Sequence, residues 1–222
     1  MKPLAKYYTT LFRAFGPQRW WPADTPFEMM VGAILTQNAA WANVEKAIAN
    51  LRAARVLSPR RMSALSPRRL SRLIRPAGYF NVKEIRLRAF LDFVNRECGG
   101  SVLRMFRGET GVLRGKLLAV YGIGPETADS ILLYAGNRPV FVIDAYTRRI
   151  FSRHGIIRGD EDYEELRALF ERNLPRSAPM WNEYHALLVR AGKDFCRKSP
   201  RCRECPLGGF PLPGVRNRGN MK

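Results

Sequence analysis

Two segments of this 222-residue chain carry residue types at spacings that could do chemistry. The first is Lys116-Leu117-Leu118-Ala119-Val120-Tyr121-Gly122-Ile123-Gly124-Pro125-Glu126-Thr127-Ala128-Asp129. A helical pattern ends near Tyr121, and Gly122 and Gly124 are expected to turn the chain tightly at positive φ. Pro125 suits the first turn of a following helix, where its missing N–H is no loss. The unpaired N–H groups and positive end of that helix make an anion site, and glycines let a phosphate come close. The local alternative is a plain helix corner with Gly as its cap. In the second segment, Val140-Phe141-Val142-Ile143-Asp144-Ala145-Tyr146-Thr147-Arg148-Arg149, four apolar residues deliver one carboxylate to a helix start. The helix dipole favours its anion, which can stabilise developing positive charge and orient or deprotonate a water. The local alternative is a simple N-cap.

Cysteines and tryptophans are the remaining candidates. Cys196, Cys202 and Cys205 cluster, while Cys98 lies far upstream. Four cysteines are too few for a disulfide scaffold. The only histidines, His154 and His185, are far apart in sequence, which argues against a His-rich zinc hydrolase. Trp20-Trp21-Pro22 and Trp41 offer rings that could stack on a flat ligand; the alternative is packing between helices.

The elements that position these residues read as helices nearly throughout. Apolar residues recur at three and four in Leu4–Phe15, Phe27–Gln37, Trp41–Arg55, Ile85–Val94, Leu113–Val120, Thr127–Ala135, Tyr146–His154, Tyr163–Leu174 and Trp181–Val189. Asp24-Thr25-Pro26, Ser58-Pro59 and Ser66-Pro67 are helix starts. Ser58-Pro59-Arg60-Arg61-Met62-Ser63-Ala64-Leu65 is followed by a near copy, Ser66 to Leu73, which predicts two short capped helices in tandem. Pro139–Ile143 reads as a buried extended connection, and the tail after Cys205, rich in Gly, Pro and Arg, as disordered.

Lys and Arg number 38 against 19 Asp and Glu, a formal charge of +19. So large an excess repels itself unless a polyanion offsets it, which points to nucleic acid. The hairpin then reads as a helix-hairpin-helix that grips one DNA strand without reading sequence. A ribosome-like partner or an acidic membrane is the weaker alternative. No apolar run is long enough to span a bilayer, and the N-terminus lacks a signal-peptide core. A cytoplasmic, nucleoid-associated monomer is expected, with no membrane partner.

Taken together, Leu-x-x-Val-Tyr-Gly-Ile-Gly-Pro-Glu-Thr-Ala and Val-Phe-Val-Ile-Asp-Ala-Tyr-Thr-Arg-Arg resemble the helix-hairpin-helix base-excision glycosylases, the endonuclease III superfamily. Gly78-Tyr79-Phe80-Asn81-Val82-Lys83 is similar to the family's Gly-x-Tyr-Asn-x-Lys segment, and His185–Cys205 to the helix entering its iron–sulfur loop. The resemblance covers most of residues 5–206. It implies an all-α fold of two helical domains with a cleft between them: a six-helix barrel over 24–136 carrying the hairpin, and a second domain of 1–23 plus 137–222. It places the catalytic Asp on Asp144, phosphate binding on Gly122 and Gly124, and the residue that fills the flipped base's gap on Gln37 or Asn38.

The resemblance also narrows the chemistry. In endonuclease III, the residue two after the second hairpin Gly is a Lys that forms a Schiff base; here it is Glu126, which cannot. A monofunctional glycosylase is therefore expected. An alkylated purine such as 3-methyladenine already carries positive charge and leaves without a proton donor, so Asp144 and an aromatic pocket suffice. Trp-Trp-Pro, then Leu-Thr-Gln-Asn and Trp41, resembles the 3-methyladenine glycosylase III branch, which assigns Trp20, Trp21 and Trp41 to the base pocket. The alternatives are another lesion, such as a mismatched pyrimidine or oxidised base, an endonuclease III-like enzyme with weak lyase activity, or a silent DNA-binding module. The family's four-cysteine pattern is incomplete: Cys196, Cys202 and Cys205 match, and the fourth position falls near Pro211. The expectation is no cofactor; the alternatives are a 4Fe–4S cluster with an atypical fourth ligand, or zinc on the three cysteines and His185. The expected partner is double-stranded DNA containing damaged bases.

Overall fold

The computed structural model describes residues 3–18, 20 and 23–212. Twelve α-helices appear among them: α1 (Pro3–Phe15), α2 (Pro26–Thr36), α3 (Trp41–Ala53), α4 (Pro59–Ser63), α5 (Pro67–Ile74), α6 (Phe80–Cys98), α7 (Val102–Met105), α8 (Thr110–Leu118), α9 (Pro125–Ser130), α10 (Ala145–Arg153), α11 (Tyr163–Asn173) and α12 (Ala178–Asp194). A 3₁₀ turn (Arg75–Ala77) follows α5, and a π-helical turn (Ile131–Ala135) continues α9. No strand occurs among the described residues, so the fold is all-α as the periodicity predicts. The expected start signals operate. The hydroxyls of Thr25, Ser58 and Ser66 accept from the N–H of Glu28, Arg61 and Arg69, each with Pro at the helix start. Pro139–Ile143 has no regular secondary structure, and Val140, Phe141, Val142 and Ile143 in it are buried.

The chain divides into two compact units, Trp21–Arg138 and Met1–Trp20 with Pro139–Lys222. In the first, α2 is the central helix. Every residue from Phe27 to Leu35 is buried, and α3, α6, α9 and the π-turn pack against it. In the second, α12 is central, packed on α1 and α10; the Tyr184 hydroxyl donates to the Leu4 carbonyl at 2.7 Å. The Pro139–Ile143 run crosses this unit without a partner strand. Its backbone is satisfied by side chains instead: Phe141 N–H donates to Glu171 at 3.0 Å and Ile143 N–H to the Tyr163 hydroxyl at 3.4 Å.

Three expectations need correction. Gly124 is not in the positive-φ region: its φ is −90°, and only Gly122, at φ 80°, turns the hairpin that way. Residues 206–212 are not a disordered tail. Leu207 is buried, Phe210 packs on Tyr7 with ring centroids 4.3 Å apart, and the Pro211 carbonyl meets His154 Nδ1 at 3.0 Å. Residues 213–222 lie outside the described residues. Finally, α6 starts at Phe80 rather than near Ile85, because Lys83 and Glu84 in its first turns are polar yet buried.

Candidate functional site

Asp144 caps α10. Its Oδ1 accepts from the Thr147 N–H at 2.7 Å, and its Oδ2 stands 3.5 Å from His185 Nε2 on α12. The carboxylate and the imidazole are both buried. Burial alone pushes the Asp144 carboxyl up, but His185 facing it and the hydrogen bonding of Thr147 outweigh that and hold it below its ordinary value. The outcome is a buried carboxylate kept as an anion. Close contact between α10 and α12 makes the pairing possible: a Cβ on Gly192 would stand 2.3 Å from the Tyr146 ring, and Arg149 donates to the Gly192 and Cys196 carbonyls at 3.1 and 2.6 Å. Sequence reasoning missed His185, since nothing local links it to Asp144.

The hairpin joins α8 to α9 in the other unit. A Cβ on Gly122 would meet the Arg86 side chain at 2.3 Å, so glycine is required there twice over. Around Gly124 a Cβ would meet nothing within 4 Å; the backbone faces open space. The hairpin is braced from inside. Arg114 on α8 holds the fully buried Asp129 on α9 bidentately, at 2.6 and 3.1 Å. Glu126 is exposed in the first turn of α9.

Gln37 and Asn38 have different environments. Gln37 Nε2 donates to the Gly122 carbonyl and the Thr127 hydroxyl, both at 2.9 Å, while its Oε1 accepts from Arg86 at 2.5 Å. Gln37 thus ties the end of α2 to the hairpin. Asn38 is exposed and left-handed, at φ 52°. A second left-handed residue, Tyr79 at φ 45°, is 71% exposed just before α6. Lys83, itself buried, donates to the carbonyls of Leu35 and Ala77 at 2.8 and 2.7 Å, pinning together the chain ends that carry Asn38 and Tyr79. An exposed aromatic held at positive φ costs free energy and marks a candidate contact that periodicity could not reveal.

Trp20 and Trp41 belong to different units. Trp20 is half-buried in its unit, with Lys193 Nζ 5.5 Å from its ring centre. Trp41 begins α3 in the other unit and lines a cavity of about 260 Å³ with Gly32, Ile48, Arg52 and the carboxylates of Glu28 and Glu45. Trp21 lies outside the described residues.

Cys196, Cys202 and Cys205 line one small cavity with Arg153, His154 and Leu207. Its volume of about 20 Å³ is room for about one water. Arg153 donates to Cys196 Sγ at 3.1 Å, and a Cβ on Gly208 would stand 2.3 Å from the Cys202 carbonyl. Pro211 offers no thiol at the fourth position, Cys98 belongs to the other unit, and no group of three or more metal-ligating side chains assembles among the described residues. Three thiols fall one short of the four thiolates that a four-iron cluster usually takes. His185, the imidazole of the zinc alternative, faces Asp144, and the imidazole beside the cysteines is His154.

The glycine hairpin, with open space at Gly124, belongs to one unit, and the buried carboxylate that caps α10 belongs to the other. The match to the family described as "HhH-GPD superfamily base excision DNA repair protein" runs over residues 31–176. The protein named "Putative DNA repair glycosylase MJ1434" of Methanocaldococcus jannaschii is 45% identical over 208 residues, 93% of this chain and 94% of that one. Endonuclease III of Bacillus subtilis is 26% identical over 83% of this chain and 80% of its own. Among solved structures, an endonuclease III–DNA complex shares the fold at TM-score 0.81, with 21% identity over 95% of this chain and 94% of that one. The 3-methyladenine DNA glycosylase of H. pylori bound to 1,N6-ethenoadenine matches at TM-score 0.72, with 28% identity over 87% of this chain and 98% of that one. The chain belongs to the HhH-GPD superfamily of base-excision DNA repair glycosylases. No helix among the described residues is long and apolar enough to cross a membrane.

Proposed function

We propose that this glycosylase is monofunctional and hydrolyses the N-glycosidic bond of alkylated, 3-methyladenine-like purines in double-stranded DNA, acting as a monomer in the nucleoid. The observation that carries the reading is Asp144, a buried carboxylate held ionised by His185 and Thr147. As the C1′–N bond breaks, its electron pair leaves with the base and positive charge grows on the sugar. The Asp144 anion stabilises that charge, and a water oriented by the carboxylate adds to C1′. Asp144 accepts the water's proton, with His185 beside it. A cationic base departs neutral and needs no acid. Glu126 on the hairpin helix supports hydrolysis over lyase chemistry, because a carboxylate forms no Schiff base.

The hairpin backbone at Gly124 receives a phosphate. Asn38 fills the gap of the flipped base, with Gln37 as its anchor rather than the filler, and Tyr79 wedges beside it. Trp41, beside Glu45 in a cavity where Arg52 already holds Glu28, is a stacking candidate for the base, and Trp20 and Trp21 are further ones. The likeness to the H. pylori 3-methyladenine enzyme supports the substrate class. The cysteine loop serves as packing, without a cluster. The test is incubation with duplexes each carrying one defined lesion. Release of free 3-methyladenine with the strand intact until alkali is added is the expected result. Preferential release of a pyrimidine or an oxidised purine overturns the substrate class, and borohydride trapping of the enzyme on abasic DNA overturns the monofunctional assignment.

A further inference from the structure

Between Lys46 and Lys83 the sequence holds ten Lys and Arg and no Asp or Glu. Part of that charge is used inside the protein. Arg52 pairs with Asp24 and Glu28 at 3.1 and 2.6 Å, and Lys83 is buried on backbone carbonyls. Arg60, Arg61, Arg68, Arg69 and Arg72 are all exposed on α4 and α5; Arg61 donates to the Arg55 carbonyl at 3.0 Å, and among the described residues no carboxylate pairs with any of the five. The tandem repeat explains the layout. Each copy buries its fifth residue, Met62 or Leu70, and turns its Arg pair to solvent.

We propose that the exposed face of α4 and α5 is a second DNA-binding surface, which holds the phosphate backbone of the duplex beyond the damaged nucleotide. The proposal rests on the reading of this chain as a DNA glycosylase and adds a contact that the hairpin does not provide. Helix stability does not account for the arginines. Arg68 and Arg69 occupy the first turn of the eight-residue α5, where the dipole disfavours cations and acidic residues would be the stabilising choice. Like charges this dense on two short helices repel unless a polyanion neutralises them. No aromatic residue lies between Leu57 and Ile74, so the face has nothing to stack on unpaired bases and suits the backbone of a duplex. The face is also built apart from the hairpin: α4 and α5 pack on α6, and α5 also on α3, whereas α9 packs on α2 and the π-turn. Such a surface keeps the protein on undamaged DNA while it scans, through contacts that carry no sequence information.

The test combines Arg60→Gln, Arg61→Gln, Arg68→Gln and Arg69→Gln in one protein. A control removes the same charge elsewhere, at exposed Arg13, Arg96, Arg107 and Arg176. Affinity is measured across a salt series on undamaged duplexes of about 30 and about 10 base pairs, the longer able to reach both surfaces. Each lost phosphate contact lowers the log–log salt slope by about 0.9, so the slope on the long duplex should fall by roughly 2–4 in the α4–α5 variant. It should fall less in the control and little on the short duplex. The control variant should release base at the wild-type rate in a single turnover at saturating lesion DNA. An unchanged slope, or an equal loss in variant and control, overturns the proposal. So does a variant that loses binding to acidic lipid vesicles but not to DNA. Absence of base release by the wild-type protein would instead count against the glycosylase reading and leave the slope comparison standing.

Discussion

Asp144 is both an anion and a helix cap, and two substitutions separate the roles. Asp144→Asn keeps an oxygen for the Thr147 N–H but removes the charge; Asp144→Ala removes both. Base release should fall by at least about 10²–10³ in either variant. Both variants lose the charge that faces His185, so the Ala variant should be less stable than the Asn variant by about 1 kcal/mol, the worth of the cap, read by thermal or urea unfolding. The pH dependence follows from the same pairing. A carboxyl held below its ordinary 3.8 in the folded state contributes stability that is fully present above that value and is lost as pH falls through the lower folded one. The acidic limb of base release that Asp144 sets should therefore lie below the ordinary carboxylate range. In His185→Gln the acidic limb should move to higher pH; an unmoved limb would show that His185 does not hold Asp144. Asp144 was legible because an apolar run delivers it to a helix start. His185 was not, because only the packing of α12 on α10 brings it there. Gln37 was legible as a turn residue, but its bonds to Gly122 and Arg86 come from three separate elements and leave no local trace.

The hairpin's two glycines serve different needs, which makes a prediction at the scale of the element. Gly122 sits at φ 80° against Arg86, so Gly122→Ala should destabilise the fold by roughly 1–3 kcal/mol. Gly124 has ordinary dihedrals and open space before it, so Gly124→Val should unfold near the wild-type temperature. It should nevertheless weaken binding to lesion and plain DNA alike, as phosphate contacts carry no base information. Destabilisation by Gly124→Val, or a binding loss confined to one lesion, would show that this backbone meets something other than phosphate. The sequence marked both glycines but could not assign φ to either, because the turn is set by Ile123 packing inward and by Arg114 holding Asp129. Helix existence was legible from apolar spacing and Ser-Pro or Thr-Pro starts. The interruption after Ser130 was not, since Ile131–Ala135 has a helical pattern whether its bonds close as α or π.

At the scale of the whole molecule, the cysteine loop must be held by something if three thiols without a fourth hold no cluster. The contacts are visible. Arg153 donates to the Arg197 carbonyl at 2.7 Å and the Lys198 carbonyl at 3.3 Å, Arg149 to the Cys196 carbonyl, and His154 meets the Pro211 carbonyl. Leu207 is buried, and Phe210 lies on Tyr7 with Lys6 Nζ 5.4 Å from its ring centre. Side chains from α1 and α10 therefore do what a metal centre would otherwise do for a loop of this length. Its composition, rich in Gly, Pro and Arg, concealed this, because one Leu and one Phe supply nearly all the apolar anchoring. Phe210→Ala should cost about 1–3 kcal/mol and lower the melting temperature. Cys202→Ser, at a half-buried thiol, should cost well under 1 kcal/mol. A strong chelator should leave both the melting curve and base release of the wild-type protein unchanged, and aerobically purified protein should contain no stoichiometric iron or zinc. If Cys202→Ser proved more damaging than Phe210→Ala, or chelation lowered the melting temperature, the loop would be metal-bound and its packing secondary.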